Sequence, residues 1–211
     1  MPPDFPTQLR LRRAAIIDIP RAAASVIRVA SENDAAEIHA IYAPNVRDPA
    51  ISFETVVPDV ATMRQRIATT TATHPWLVEV REGRIAGYAY ASPHRPRPAW
   101  RWCCETTVYV NPDYQGQGVG RRLYGALFTL LRLQNYLHAL AIIMLPNAPS
   151  VRLHERCGFV QRAEYPQAGN KFGVWYDAGV WQLTLGALPD APSEPIAFPN
   201  LADATVQIVL R

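Results

Sequence analysis

The stretch from Glu105 to Arg122 carries the clearest chemistry. In it a carboxylate, a β-branched run and a glycine repeat follow one another. Gly116, Gly118 and Gly120 alternate with Gln117 and Val119, and Arg121 and Arg122 come directly after. Glycine lets successive backbone N–H groups turn toward one point with no side chain in the way. Where those N–H groups also open a helix, the free donors and the helix dipole favour an anion. A pyrophosphate suits such a nest, with the two arginines adding charge at its rim. On this reading a side chain at Gly120 would fill the space the anion needs. A Gly-Lys-Ser/Thr loop is excluded because no lysine follows the glycines. A Gly-x-Gly-x-x-Gly fingerprint fails from either start, since its last place holds Arg121 or Leu123. What remains is Gln115-x-x-Gly118-x-Gly120.

Glu105 lies among Trp102, Cys104 and Val108. Apolar neighbours predict a partly desolvated carboxylate, a better general base than one in water. The plainer alternative is a strand glutamate that faces solvent or pairs with an arginine. His154, in Leu153-His154-Glu155, can protonate a leaving group or can pack between sheet and helix.

These groups need elements to hold them. Ser25 to Ala30 reads as a first strand, and Ser31 or Asn33 caps a helix that Pro44 and Pro49 end. Asp59 caps a second helix over about residues 60–71, with Met63 and Ile67 inward. Trp76–Val80 and Ile85–Ala91 read as a hairpin around Glu82-Gly83. The proline-rich segment Ser92–Trp100 is an exposed loop, and Trp102–Val110 is a strong strand. The glycines lead into an apolar helix reaching about Leu133. Strand Leu140–Met144, a helix capped by Asn147, and strands Phe159–Glu164 and Val174–Leu185 follow. The order gives an α+β fold with a largely antiparallel sheet flanked by helices. Residues 1–25 read as an N-terminal extension, 26–186 as the domain, and 187–211 as a tail whose Thr205–Leu210 run could add an edge strand.

Composition narrows the function classes. A chain of 211 residues, 49% hydrophobic and 18% charged, is globular and needs no metal or disulfide staple. Its net charge of +3 is too small to argue for nucleic acid, and no apolar run is long enough to span a membrane. Lys171 is the only lysine. The cysteines, Cys103, Cys104 and Cys157, are odd in number and irregular in spacing. They fit neither a disulfide framework nor a zinc ribbon, and suit a reducing cytoplasm.

At the Gln115-x-x-Gly118-x-Gly120 loop the chain resembles the Gcn5-related N-acetyltransferases. Further segments resemble their phosphinothricin and methionine sulfoximine/sulfone acetyltransferase branch: Ile85–Pro93, Glu105–Val110, Leu145–Glu155 and Trp175–Gln182. The resemblance covers about Ile27 to Leu185 and leaves both tails outside. It implies a mixed, mostly antiparallel sheet of about seven strands flanked by about four helices. It also implies acetyl-CoA as co-substrate, no metal, and direct attack by the acceptor amine in a ternary complex.

The residue roles it implies are specific. The strands at Val108 and Ile142 splay apart, and the backbone of Val108, Tyr109 and Val110 pairs with the pantetheine arm between them. The N–H of Tyr109 or Val110 then steadies the thioester oxygen. Gln115, Gly116, Gln117, Gly118, Val119, Gly120 and Arg121 cradle the pyrophosphate, while Asn147 hydrogen-bonds the pantetheine arm from the facing helix start and Ser150 also contacts the cofactor. Glu105 matches the branch's base. Arg97, with Arg95 as backup, matches an arginine that contacts the acceptor's acid group, as a guanidinium fork suits. Phe53, Trp100 and Lys171 belong to the implied acceptor pocket. Trp100, Tyr176 and the Pro96/Pro98 pair depart from the branch's pattern, and these departures bear on the acceptor alone. The implied assembly is a cytoplasmic homodimer, with Trp181–Leu185 as the edge through which it pairs. Two other functions fit the same loop: a protein or peptide N-acetyltransferase, and a coenzyme A sensor without turnover. Retention of Glu105 speaks against the sensor.

Overall fold

The computed structural model describes residues 25–211, so the expected extension lies, apart from Ser25, outside the described residues. The strands are β1 (Ser25–Val29), β2 (Trp76–Arg81), β3 (Arg84–Pro93), β4 (Cys103–Val110), β5 (His138–Leu145), β6 (Val160–Lys171) and β7 (Val174–Thr184). The helices are α1 (Ala35–Arg47), α2 (Val60–Thr71), α3 (Val119–Leu133), α4 (Ala148–Arg156) and α5 (Asp203–Leu210). All seven strands form one sheet in the order β1-β2-β3-β4-β5-β7-β6. Every pairing is antiparallel except β4 with β5.

Local chemistry sets these elements. Glu82 and Gly83 both take positive φ, 50° and 76°, the geometry a two-residue hairpin needs between β2 and β3. Helix α3 repeats Leu123, Tyr124, Leu127, Phe128, Leu130 and Leu131 along one stripe, and all are buried against one face of the sheet. On the opposite face α1 and α2 bury Ile38, Ile41, Met63 and Ile67 against Trp76, Val78 and Tyr88.

Three expectations fail here. Pro44 does not end the first helix. It sits inside α1, where Asp48 N–H still reaches Pro44 O and Asn45 Nδ2 still donates to Ile41 O. The tail adds no strand, because Thr205–Leu210 lies in helix α5. There Val206 and Leu210, with Phe198, join the core under α3, a burial that needs one apolar stripe and not alternating faces. Trp181–Leu185 is not an edge either: β7 runs between β5 and β6, and the sheet's outer strands are β1 and β6.

Candidate active site

The parallel pairing of β4 with β5 lasts only from Cys103–His138 to Glu105–Leu140. Beyond Glu105 the two strands part, and β5 continues along β7 alone. This is the expected splay, and it begins at Glu105. Val108 and Val110 are half-buried beside the gap, and Ile142 is 40% exposed. Asn111 N–H donates to Ala86 O on β3. Alternation along an antiparallel ladder then turns the N–H and C=O of Tyr109 toward β3 and those of Val108 and Val110 toward the gap. The Tyr109 backbone is therefore corrected: β3 uses it, and its ring packs edge-on against Tyr42 at 5.1 Å. Val108 and Val110 keep the polar groups an inserted arm would need.

The glycine loop leads into α3 as the spacing predicts. Gly116 and Gly118 have φ of 73° and 78°, a region that side chains resist, and Gly118 is the N-cap. No side chain caps α3, whereas Asp59 caps α2 and Asn147 caps α4. The first bond across the turn, Arg122 N–H to Gly118 O, leaves the N–H groups of Val119, Gly120 and Arg121 as the helix's free donors. Gly120 has a different role from the one expected. A Cβ there would lie 2.9 Å from Leu153 Cδ2 and 3.6 Å from Val110 Cγ2, so Gly120 allows α3 to pack on α4. The Gln117 amide is also engaged, accepting from Arg81 Nη1 at 2.8 Å and donating to Asp113 O at 3.0 Å.

Glu105 is a partly buried carboxylate. Its side chain is 36% exposed, and its partner is neither water alone nor an arginine but His94, whose Nδ1 lies 2.8 Å from Oε1. Oε2 carries no hydrogen bond among the described residues and is left for an acceptor. His94 is the residue that the sequence hides inside a loop of prolines and arginines. The signal was the antiparallel register: Ser92 pairs with Glu105, so residue 94 lies diagonally across from it on the same face. Trp100 meets the His94 ring edge-on at 5.2 Å and is itself 44% exposed.

His154 is a packing histidine. Its Nδ1–H donates to Ser150 O at 2.8 Å, so Nε2 accepts the Tyr124 O–H at 2.8 Å. Burial lowers its pKa and keeps it neutral, so it has no free proton to give a thiolate. Asn147 Oδ1 accepts Ser150 N–H at the start of α4.

The acceptor residues divide. Lys171 is 1% exposed and its Nζ donates to both Asp48 O and Ser52 O at 2.6 Å, so it cannot hold a substrate's acid group. It ties the α1–α2 loop to β6. Phe53, from that loop, lies over Gly169 of β6, where a Cβ would sit 2.6 Å from the ring. Arg95 and Arg97 are exposed and make no side-chain hydrogen bond among the described residues. A cleft of about 440 Å³ opens between α2 and the ends of β2 and β3, lined by Tyr42, Arg66, Trp76, Tyr90 and Ser92 but by neither Arg95 nor Arg97. Arg66 is paired there with Glu54 at 2.7 Å. The described residues contain no cluster of His, Cys, Asp or Glu able to hold a metal ion.

The chain is similar to known proteins. The model of the acetyltransferase (GNAT) domain matches residues 27–180. A phosphinothricin N-acetyltransferase of Alcaligenes faecalis is 42% identical over 166 residues, 78% of this chain and 84% of that one. An L-methionine sulfoximine/L-methionine sulfone acetyltransferase of Pseudomonas aeruginosa is 35% identical over 169 residues, 79% of this chain and 98% of that one. Among solved structures, a phosphinothricin acetyltransferase from Sinorhizobium meliloti in complex with acetyl-CoA superposes with a TM-score of 0.77. It is 30% identical and the match covers 84% of this chain and 97% of that one.

Proposed function

We infer, for a chain that belongs to the GNAT acetyltransferase family, that it acetylates the amine of a small amino acid or analogue. It is an acetyl-CoA-dependent N-acetyltransferase, and the acceptors its relatives' names favour are phosphinothricin, methionine sulfoximine and methionine sulfone. One observation carries the reading. The sheet opens at Glu105, and the donor-rich start of α3 follows directly from the strand that lines the opening.

Acetyl-CoA supplies an acetyl group activated as a thioester. The chain's part is to bind, aim and deprotonate. The free N–H groups after Gly118 hold the pyrophosphate, and Val108 and Val110 pair with the pantetheine arm. His94 fixes one oxygen of Glu105, and the other takes the proton from the acceptor ammonium, directly or through one water. The freed amine attacks the acetyl carbon in the ternary complex while a gap-facing N–H of β4 faces the oxygen that gains charge. The C–S bond then breaks, and coenzyme A thiolate leaves without help from His154.

Arg97 is the group we assign to the acceptor's acid end, because it is an exposed guanidinium without an internal partner in the loop that leads from β3 to the Glu105 strand. Arg97→Ala should raise the acceptor KM roughly tenfold to hundredfold, the worth of one charged hydrogen bond, with the acetyl-CoA KM unchanged. Amidating the acceptor should then cost the wild type much and the variant little. Simple addition of the two losses would exclude Arg97 and pass the role to Arg95. We also propose a cytoplasmic homodimer that protects against amino-acid analogue inhibitors. Phe172, Val174 and Trp175, exposed on the β6–β7 hairpin, support the dimer. The deciding experiment is an acceptor screen with acetyl-CoA, reading free thiol, over amino acids, sulfones, sulfoximines, phosphinates and peptide N-termini. Turnover of peptides alone would overturn the small-acceptor reading, and coenzyme A binding without any turnover would make the chain a sensor.

A further inference from the structure

Glu79 is an acid in an unusual place. Its side chain is 0% exposed, yet it lies on β2 and has no part in the reaction as described so far. It faces the α3 side of the sheet, opposite Gly87. A Cβ at Gly87 would lie 2.9 Å from Val119 Cγ1, so this glycine lets the first turn of α3 come down beside the carboxylate. Oε1 accepts from Arg81 Nε and from Arg122 Nη2, each at 2.8 Å, and Oε2 accepts from Arg122 Nε at 3.2 Å. Both guanidiniums then reach the glycine loop. Arg122 Nη1 donates to Gln117 O at 3.0 Å, and Arg81 Nη1 to Gln117 Oε1 at 2.8 Å.

The Gln117 carbonyl belongs to the peptide whose N–H is that of Gly118. In a planar trans peptide the C=O and N–H point in opposite directions. Holding the carbonyl on the Arg122 side therefore aims the Gly118 N–H to the other side, away from that guanidinium. We propose that Glu79 is a positioning residue for the pyrophosphate loop. Through Arg122 it fixes the Gln117–Gly118 peptide, so the loop's donors converge before acetyl-CoA arrives. The proposal rests on the acetyl-CoA reading. It concerns how the site is preorganised, so that less ordering cost falls on binding.

The test separates the diphosphate from the rest of the cofactor. Coenzyme A binding is measured by calorimetry on the full chain, and turnover is compared with acetyl-CoA and with S-acetylpantetheine, which lacks the diphosphate. Glu79→Gln should weaken coenzyme A binding roughly tenfold to hundredfold and raise the acetyl-CoA KM to match. The acceptor KM and kcat/KM with S-acetylpantetheine should not change. Arg122→Lys, at a more exposed position, keeps the rim charge but loses the fork that spans Glu79 and Gln117 O, so it should give the same pattern, and it carries the test if the Glu79 variant fails to fold. The double variant should lose no more than either single one, because both act through one peptide. Equal losses with both donors would mean that Glu79 only supports the fold. Tighter coenzyme A binding would mean that the two freed arginines attract the diphosphate better than the ordered loop does. Either result overturns the proposal. If the wild type binds no coenzyme A, the acetyl-CoA reading itself has failed.

Discussion

Glu105 has one oxygen held by His94 and one free, and that asymmetry sets what its loss should do. Glu105→Gln should keep coenzyme A affinity and lose on the order of 10²–10⁴ in kcat at neutral pH. The deficit should shrink at high pH, where the acceptor is already a free amine. A pH-rate profile of both proteins checks this, and a deficit that stays constant would place the base elsewhere. The two glycines of the loop should separate in the same way. Gly118→Ala forces a side chain into a left-handed conformation at a cost of about 1–2 kcal/mol and presses on Arg122 Nη1, so it should lower coenzyme A affinity. Gly120→Val instead overpacks Leu153 and should cost about 1–3 kcal/mol of stability, with any loss of binding secondary to that. Calorimetry and denaturant titration of the two variants, read side by side, distinguish these outcomes.

The α1–α2 loop and β6 form the acceptor side in the function we propose, and Lys171 fastens them together. Lys171→Met should keep the buried hydrocarbon stem while leaving two carbonyls without their donor. The expected result is a stability loss of about 2–3 kcal/mol and a higher acceptor KM, as Phe53 loses its fixed seat over Gly169. The acetyl-CoA KM should hold, since α3 and the glycine loop lie on other elements. A rise in the acetyl-CoA KM instead would show that the loop couples to the cofactor side.

The molecule as a whole carries a built-in acid sensitivity. His74 is 3% exposed, with Nε2 2.7 Å from Tyr136 Oη and Nδ1 2.8 Å from Thr73 Oγ1. Burial lowers its pKa from 6.5 to about 4. Between those values the unfolded chain binds the proton and the folded chain does not, so stability falls as pH drops from 6.5 toward 4. The full effect is about 3 kcal/mol. His154, also lowered by burial, adds to the same slope. His74 also lies where the tail crosses the body, since Phe198 N–H and Gln134 Nε2 both bond Thr73 O. Chemical denaturation at a series of pH values should show a flatter slope for His74→Gln than for the wild type. An unchanged slope would mean that His74 is already charged in the folded state.

Much of this was legible in the residues themselves. The glycine loop, its helix and the strand before it follow from short-range rules: positive φ at glycine, an apolar stripe at helical spacing, and β-branched alternation. Glu105 was legible as the carboxylate of that strand, but its partner was not. His94 meets it only through the register of β3 on β4. The same limit applies to Lys171, whose ammonium is spent on Asp48 O and Ser52 O, and to Gly120, whose missing side chain makes room for Leu153. It applies also to Thr205–Leu210, where a run that reads as a strand becomes a helix because α3 offers an apolar surface to cover. Backbone preference acts within a few residues and can be read along the chain. Which polar groups are spent, and on what, depends on pairings between distant segments, and only the tertiary structure decides those.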